Sequence, residues 1–466
     1  MSSKVLQQWE PENPQFWQKS GHAIANRNLW ISIPCLFLAF AVWMVWSMVV
    51  VKLPDVGFNY TKNQLFWLTA LPALSGATLR IFYSFLVPIF GGRRWTALST
   101  ASLLFPAVGI GYAVQDPNTA YPTMMLLALL CGLGGGNFSS SMSNINFFFP
   151  KAEKGYALGM NAGLGNLGVS AMQFIVPIVM TMGIFGALGG EPQAFVKDGV
   201  SKDIWLQNAG FVWVPFIALS AIAAWFGMND IASAKASFSE QSVIFKRKHN
   251  WLMCWLYLGT FGSFIGFSAG FPLLIKGQFP DIDPTKLAFL GPLVGALARS
   301  IGGVVADKLG GARVTFWVFL LMVLSVFAVI NFMPSKGADG VLVGGNFMGF
   351  FVAFLCLFAL TGVGNASTFK MIPAIFLTYH ERLAQVNKGI SREKVMQDSN
   401  KEAAAVLGFT SAIGAYGGFF IPKSYGTSIA MTGSPVAALY TFIVFYAVCL
   451  VVTWWFYSRK DAEMPC

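Results

Sequence analysis

Stretches of roughly 20 or more mostly apolar residues alternate with short polar segments along most of the chain, and each is long enough to cross a bilayer as a helix. Twelve such helices are predicted, at about 29–51, 65–90, 95–114, 121–147, 156–186, 209–228, 250–275, 286–306, 314–333, 346–377, 402–431 and 435–457. The polar stretch before the first holds Glu10, Glu12 and two prolines. It lacks the basic start, short apolar run and small-residue cleavage site of a signal peptide, so no cleavage is expected. The longest polar connection, 229–249, carries "KASFSEQSVIFKRKHN" and separates six helices from six. The predicted layout is a segment 1–28, a first half 29–228, a linker 229–249, a second half 250–458 and a tail 459–466.

The two halves echo one another. Helices 2 and 8 each contain an interior arginine, Arg80 and Arg299, and helices 5 and 11 each carry a glycine-rich run, "GLGNLGVS" and "GFTSAIGAYGGFFIP". Parallel repeats with a substrate site between them are a known transporter plan.

Composition supports an all-α polytopic membrane protein: 55% of the 466 residues are apolar and 11% charged, against about 25% charged in soluble domains. The net charge of +11 would suggest nucleic acid if it were not so unevenly placed. Of the 31 Lys and Arg, 20 lie in the termini and alternate loops and 7 in the opposite loops. Basic residues gather on the cytoplasmic side, so both termini are expected there; the bilayer is the implied partner and nucleic acid is not. The six cysteines show no C-x-x-C spacing, so neither metal nor disulfide is implied. No nucleophile–base set or haem-ligating pair lies within the helices, so no enzyme and no cofactor are expected.

An arginine near the bilayer centre costs about 2.5–3.5 kcal/mol on insertion scales and needs a reason. The 20 acidic residues fall in loops, termini or predicted helix ends, with Asp230, Asp307 and Glu402 the nearest to an interior. Neither arginine therefore has a carboxylate at its own depth. An anion gripped by two planar donor forks explains them, with carbonyl-paired structural arginines as the alternative. Phe138, Tyr257, Phe261 and Phe264 supply aromatic faces, and Asn137, Asn144, Asn166 and Tyr257 can donate without adding charge.

Gly163, Gly165 and Gly168 also match the G-x-G-x-x-G spacing of a dinucleotide loop. Such a loop needs a preceding strand and an acid about 20 residues on. Here a charged turn precedes it, so Gly163, Gly165, Gly168, Gly408, Gly414, Gly417 and Gly418 read instead as helix-packing positions.

"GGVVADKLGGARVT" between helices 8 and 9, with Gly303, Asp307, Lys308, Gly310 and Arg313, resembles the signature loop of the major facilitator superfamily. The equivalent "IFGGRRWT" keeps Gly91, Gly92, Arg93 and Arg94 but lacks the Asp, so part of that loop's state-stabilising role is expected to be lost. "LPALSGATLRIFYSFLVPIFGGRRWT", "GLGNLGVSAMQ", "YLGTFGSFIGFSAGF", "GPLVGALARSIGG" and "GFTSAIGAYGGFFIPKSYG" together resemble the nitrate/nitrite porter family, NarK type, over nearly the whole chain. The resemblance implies the major facilitator fold with twelve helices in two six-helix halves, in a bacterial inner membrane, serving nitrate assimilation or respiration as a monomer. It implies that Arg80 and Arg299 grip nitrate or nitrite, that Asn166 and Tyr257 hydrogen-bond it, and that Phe138 and Phe261 sandwich it. The glycines with Asp307 and Arg313 would serve the conformational change.

Lys370 departs from the pattern and opens the question of coupling. The three histidines, His22, His249 and His380, are placed in the N-terminus or cytoplasmic loops, and no predicted helix interior holds an acid. Nitrate/nitrite exchange is therefore favoured over proton-coupled nitrate symport, which needs a titratable group in the path. A non-transporting anion sensor is a third reading.

Overall fold

The computed structural model describes residues 4–197, 200–232, 242–337, 341–386 and 391–466, and the middle of the predicted linker, 233–241, lies outside them. Among the described residues, twelve helices are long and apolar enough to cross a membrane. They are α1 (Pro14–Lys52), α2 (Lys62–Phe90), α3 (Gly92–Ala113), α4 (Tyr121–Phe148), α5 (Lys151–Val179), α6 (Asn208–Gly227), α7 (Lys248–Gln278), α8 (Pro284–Leu309), α9 (Gly311–Phe332), α10 (Phe347–Val386), α11 (Arg392–Thr432) and α12 (Val436–Ser458). With about 30 Å of hydrocarbon to cross at 1.5 Å per residue, the chain satisfies its backbone polar groups within each helix.

The ends differ from the apolar pattern where polar residues extend a helix beyond its apolar run. α10 continues to Val386, past the predicted 377, and α11 begins at Arg392, before the predicted 402, capped by Ser391 Oγ, which accepts from Lys394 N at 3.3 Å. α5 stops at Val179 instead of 186, and a short hairpin, Gln193–Lys197 with Val200–Ile204, follows. The polar N-terminal segment is also structured: Val5 and Leu6 pair in parallel with Asp230 and Ile231, and the Trp9 and Trp17 indoles donate to Phe147 O at 3.1 Å and Glu153 Oε1 at 2.8 Å.

The chain forms two compact units, one of Met1–Ala236, Ser268–Gly277 and Asp281–Phe289, the other of Ser237–Phe267, Gln278–Pro280 and Leu290–Cys466. The C-terminal part of α7 thus groups with the first unit, where Ser268 O accepts from Gln173 Nε2 at 2.8 Å and Lys276 pairs with Asp55 at 2.8 Å. The division of the sequence at 229–249 does not anticipate this.

Within each unit, glycines let backbones touch. A Cβ on Gly76 of α2 would lie 3.1 Å from Gly135 Cα of α4, and one on Gly362 of α10 would lie 2.1 Å from Gly295 O of α8. Each of these helix pairs carries an arginine four residues after a contact glycine: Gly76 and Arg80, Gly295 and Arg299. Gly168 would meet Phe37 O of α1 at 2.1 Å, Gly165 would meet Leu36, Gly417 would meet Gly262 Cα at 2.3 Å, and Gly414 would meet the Tyr257 ring. Gly418 is buried as well. Gly163 and Gly408 have open space where a Cβ would sit, which corrects their reading as packing positions: glycine spacing alone does not say which helical face meets a neighbour.

The contrast is measurable. Gly362→Ala forces a methyl into a carbonyl and should cost about 1–3 kcal/mol, lowering the unfolding midpoint in detergent by roughly 2–6 °C. Gly163→Ala should leave the midpoint unchanged, since nothing opposes the added methyl.

Candidate functional site

In the first unit the site is built around Arg80, 1% exposed on α2. Its Nε donates to Gly135 O at 2.8 Å, and its guanidinium carbon lies 4.7 Å from the Phe138 ring centroid and 4.9 Å from that of Trp43. The close approach of α2 and α4 at Gly76 brings that carbonyl within reach, and the rings stabilise the cation through their negative faces. Trp43 was not anticipated, because a lone tryptophan in an apolar helix carries no signal of its depth or facing. Its indole donates to Pro72 O at 2.8 Å and so is locked beside α2. Asn137 and Asn166 are 4% and 2% exposed, and the Oδ1 of each has no hydrogen-bond partner among the described residues. Asn144 lies elsewhere, against Gly92 at the start of α3, and is not part of this cluster.

In the second unit Arg299 on α8 places its guanidinium carbon 5.7 Å from the Phe369 ring centroid. Tyr257 and Phe261 stack at 5.3 Å with 16° between planes, and Tyr257 also lies 5.1 Å from Phe369. α7 makes a π-turn at Leu258–Gly262, and the wider turn sets the Phe261 ring over Tyr257. Single π-turns inside helices occur frequently at functional sites. Arg299 Nη1 is buried without a hydrogen-bond partner among the described residues. Phe264 packs instead against Gly295 and edge-on to Phe358 at 6.5 Å.

The structure thus brings together Arg80 and Phe138 in one unit, and Arg299, Tyr257 and Phe261 around Phe369 in the other. These two clusters offer planar cationic donors framed by aromatic faces, a chemistry suited to small planar oxyanions.

Each unit also has a turn of the same design between two of its helices. Gly91 and Gly310 adopt φ of 87° and 89°, a left-handed conformation that glycine takes at no steric cost, and each starts the next helix, α3 or α9. Before Gly310, at the end of α8, Asp307 pairs with Lys370 of α10, their side chains 53% and 46% exposed, and after it Arg313 is exposed. Lys370 is therefore the partner of the signature aspartate. The turn at Gly91 was expected to have lost its acid, yet Asp230, after α6, supplies one: Oδ1 accepts from Arg93 N at 2.8 Å and Oδ2 from Arg93 Nε at 3.2 Å. The sequence hides this because the carboxylate comes from 137 residues away.

Glu402 also corrects the expectation that no helix interior holds an acid. It lies inside α11 because that helix starts ten residues early, and its side chain is 5% exposed. It accepts from Arg247 Nε at 2.5 Å and Nη2 at 3.2 Å and faces His380 Nε2 at 2.8 Å, with His380 likewise inside α10 rather than in a loop.

Comparison with known proteins places these features in context. The profile of the Major Facilitator Superfamily matches residues 35–422. The "Nitrate/nitrite transporter NarU" of Salmonella typhimurium is 53% identical, covering 98% of this chain and 97% of the relative. The "Probable nitrate/nitrite antiporter NarK2" of Thermus thermophilus is 45% identical over 98% of this chain and 97% of its own. Among solved structures, a bacterial homologue of the human lysosomal transporter Spinster, inward-facing and unoccupied, superposes with a TM-score of 0.61 at 14% identity, covering 92% of this chain and 96% of that one.

Breaking a buried ion pair by removing one charge typically costs about 3–5 kcal/mol. Asp230→Asn should therefore lower the unfolding midpoint clearly, whereas Lys370→Gln, which removes a half-exposed partner, should shift it little.

Proposed function

The chain belongs to the major facilitator superfamily, and on that premise we propose that it exchanges nitrate and nitrite across a bacterial inner membrane by alternating access. It is a multi-pass membrane transporter and not an enzyme. Both termini lie in the cytoplasm on this reading, the monomer is the working unit, and nitrate and nitrite pass through one site.

The observation that carries the reading is the recurrence of one arrangement: in each unit a guanidinium follows a contact glycine by four residues and rests against an aromatic ring. The names of relatives 45–53% identical over nearly the whole chain support the same substrates. Each guanidinium offers two parallel donors to two oxygens of a planar anion. Asn166 and Tyr257 add neutral donors, and Phe138 and Phe261 cover the anion's faces. A bound anion that stabilises the switching state lowers a barrier that the empty carrier faces in full, so exchange follows from differential stabilisation.

Proton-coupled symport is a second reading, now resting on the His380–Glu402 pair rather than on Lys370, which Asp307 already engages. The decisive measurement is labelled nitrate uptake into liposomes preloaded with nitrite, with nitrate or with nothing. Loaded vesicles should take up nitrate and empty ones little, whether or not a proton gradient is imposed. Proton-gradient-driven uptake into empty vesicles that disappears in His380→Gln or Lys370→Gln would replace exchange by symport. Nitrate binding without any counterflow would make the protein a sensor.

The charge pair makes its own prediction. Arg80→Lys and Arg299→Lys keep the charge but lose the fork, so each should slow exchange roughly ten- to hundredfold in protein that still inserts. Near-normal uptake by both would remove the anion clamp.

A further inference from the structure

The second unit contains a buried amide that neither the sequence motifs nor the clusters above use. Asn365 on α10 is 2% exposed, and its Oδ1 has no hydrogen-bond partner among the described residues. At about 100° per residue, Phe358, Gly362, Asn365 and Phe369 fall within about 60° of one face of the helix. That face lies against α8: a Cβ on Gly291 would meet the Phe358 ring at 2.4 Å, and one on Gly362 would lie 3.0 Å from Arg299 N. Phe369 meets the Arg299 guanidinium itself. Asn365 is thus bracketed by one residue at the arginine's backbone and another at its charged end. On its other side α10 turns toward α7, where Thr368 Oγ1 bonds Thr260 Oγ1 at 3.2 Å. The amide therefore sits in the wedge between the arginine helix and the helix that carries Tyr257 and Phe261.

Among the described residues, two buried polar atoms of this helix pair lack a partner, the donor Arg299 Nη1 of α8 and the acceptor Asn365 Oδ1 of α10. Buried polar groups are seldom left so, and each exception calls for an explanation. The first unit has a parallel feature: Asn137 lies two residues after Gly135, whose carbonyl holds Arg80, and its Oδ1 likewise has no partner among the described residues.

We propose that Asn365 is an anion-contacting residue: when the anion binds, its Oδ1, which bonds no described residue in this structure, comes to accept from Arg299 Nη1, and its Nδ2 donates to an oxygen of the planar oxyanion that the guanidinium holds. The inference rests on the transport reading above and extends it to a residue on α10. An amide suits the task because it ties the arginine's orientation to the ligand without bringing a negative charge that would compete for the cation. A carboxylate at the same position would neutralise the arginine and exclude the anion.

The test uses the purified full chain with sodium nitrate as probe. Nitrate affinity is read from the nitrate dependence of the unfolding midpoint, and KM and kcat from nitrate counterflow in liposomes. Asn365→Ser, which keeps a small hydroxyl, should fold with a midpoint near the parent's, weaken nitrate binding about tenfold and raise KM by a similar factor, with kcat changed less. Asn365→Asp should abolish nitrate-dependent stabilisation while the nitrate-free midpoint is kept or raised by the new ion pair with Arg299. Unchanged affinity and KM in Asn365→Ser, or a fall in kcat alone, would overturn the assignment, as would nitrate-dependent stabilisation surviving in Asn365→Asp. Parent protein that neither binds nor exchanges nitrate would overturn both this inference and the transport reading, whereas parent-like nitrate handling by both variants would overturn this inference alone.

Discussion

A guanidinium cannot remain inside an apolar helix bundle unless the bundle gives it acceptors and electron-rich faces, and here that requirement is met by bringing backbones together at glycine. α2 touches α4 at Gly76 and Gly135, which places a main-chain carbonyl and two aromatic rings around Arg80. α8 touches α10 at Gly295 and Gly362, which places Phe369 beside Arg299. Without a hydrophobic driving force between helices in lipid, small residues and close van der Waals contact are what hold such pairs together. The same contacts that build the units therefore also position the charges, and any bulk added at the glycines moves both.

The turns at Gly91 and Gly310 show how one local design accommodates different chemistry. A glycine of positive φ opens α3 and another opens α9. The acid beside the turn comes from the last turn of α8 in one case, Asp307, which pairs with Lys370 of α10, and from just after α6 in the other, Asp230, which pairs with Arg93. Asp230 is held against Arg93 by both its oxygens and against the N-terminal segment by the pairing of Val5 and Leu6. The chain's polar beginning, the segment after α6 and the α2–α3 turn thus form one braced edge of the first unit.

Much of this was legible in the sequence. Apolar run length identified all twelve helices, because a bilayer sets one length for every crossing. The two intramembrane arginines stood out for the same reason: in so apolar a chain a charge has few innocent explanations. Their aromatic partners Phe138, Tyr257 and Phe261 were named in advance, whereas Trp43, Phe369 and Asn365 were not. Each of the latter lies in a helix with many similar residues, and only its facing sets it apart.

The sequence by itself determined which segments span, which residues are charged within them and that the two halves repeat, since each of these is a local property of length and composition. Tertiary structure alone decided which glycines touch a neighbour, Gly362 and Gly417 but not Gly163 or Gly408. It also placed Glu402 inside a helix beside Arg247 and His380, gave Lys370 to Asp307, and supplied Asp230 to Arg93. The physical reason is common to all of these: a contact depends on the rotation and depth of two helices at once, and hydrophobic pattern, which is nearly uniform around a membrane helix, encodes neither.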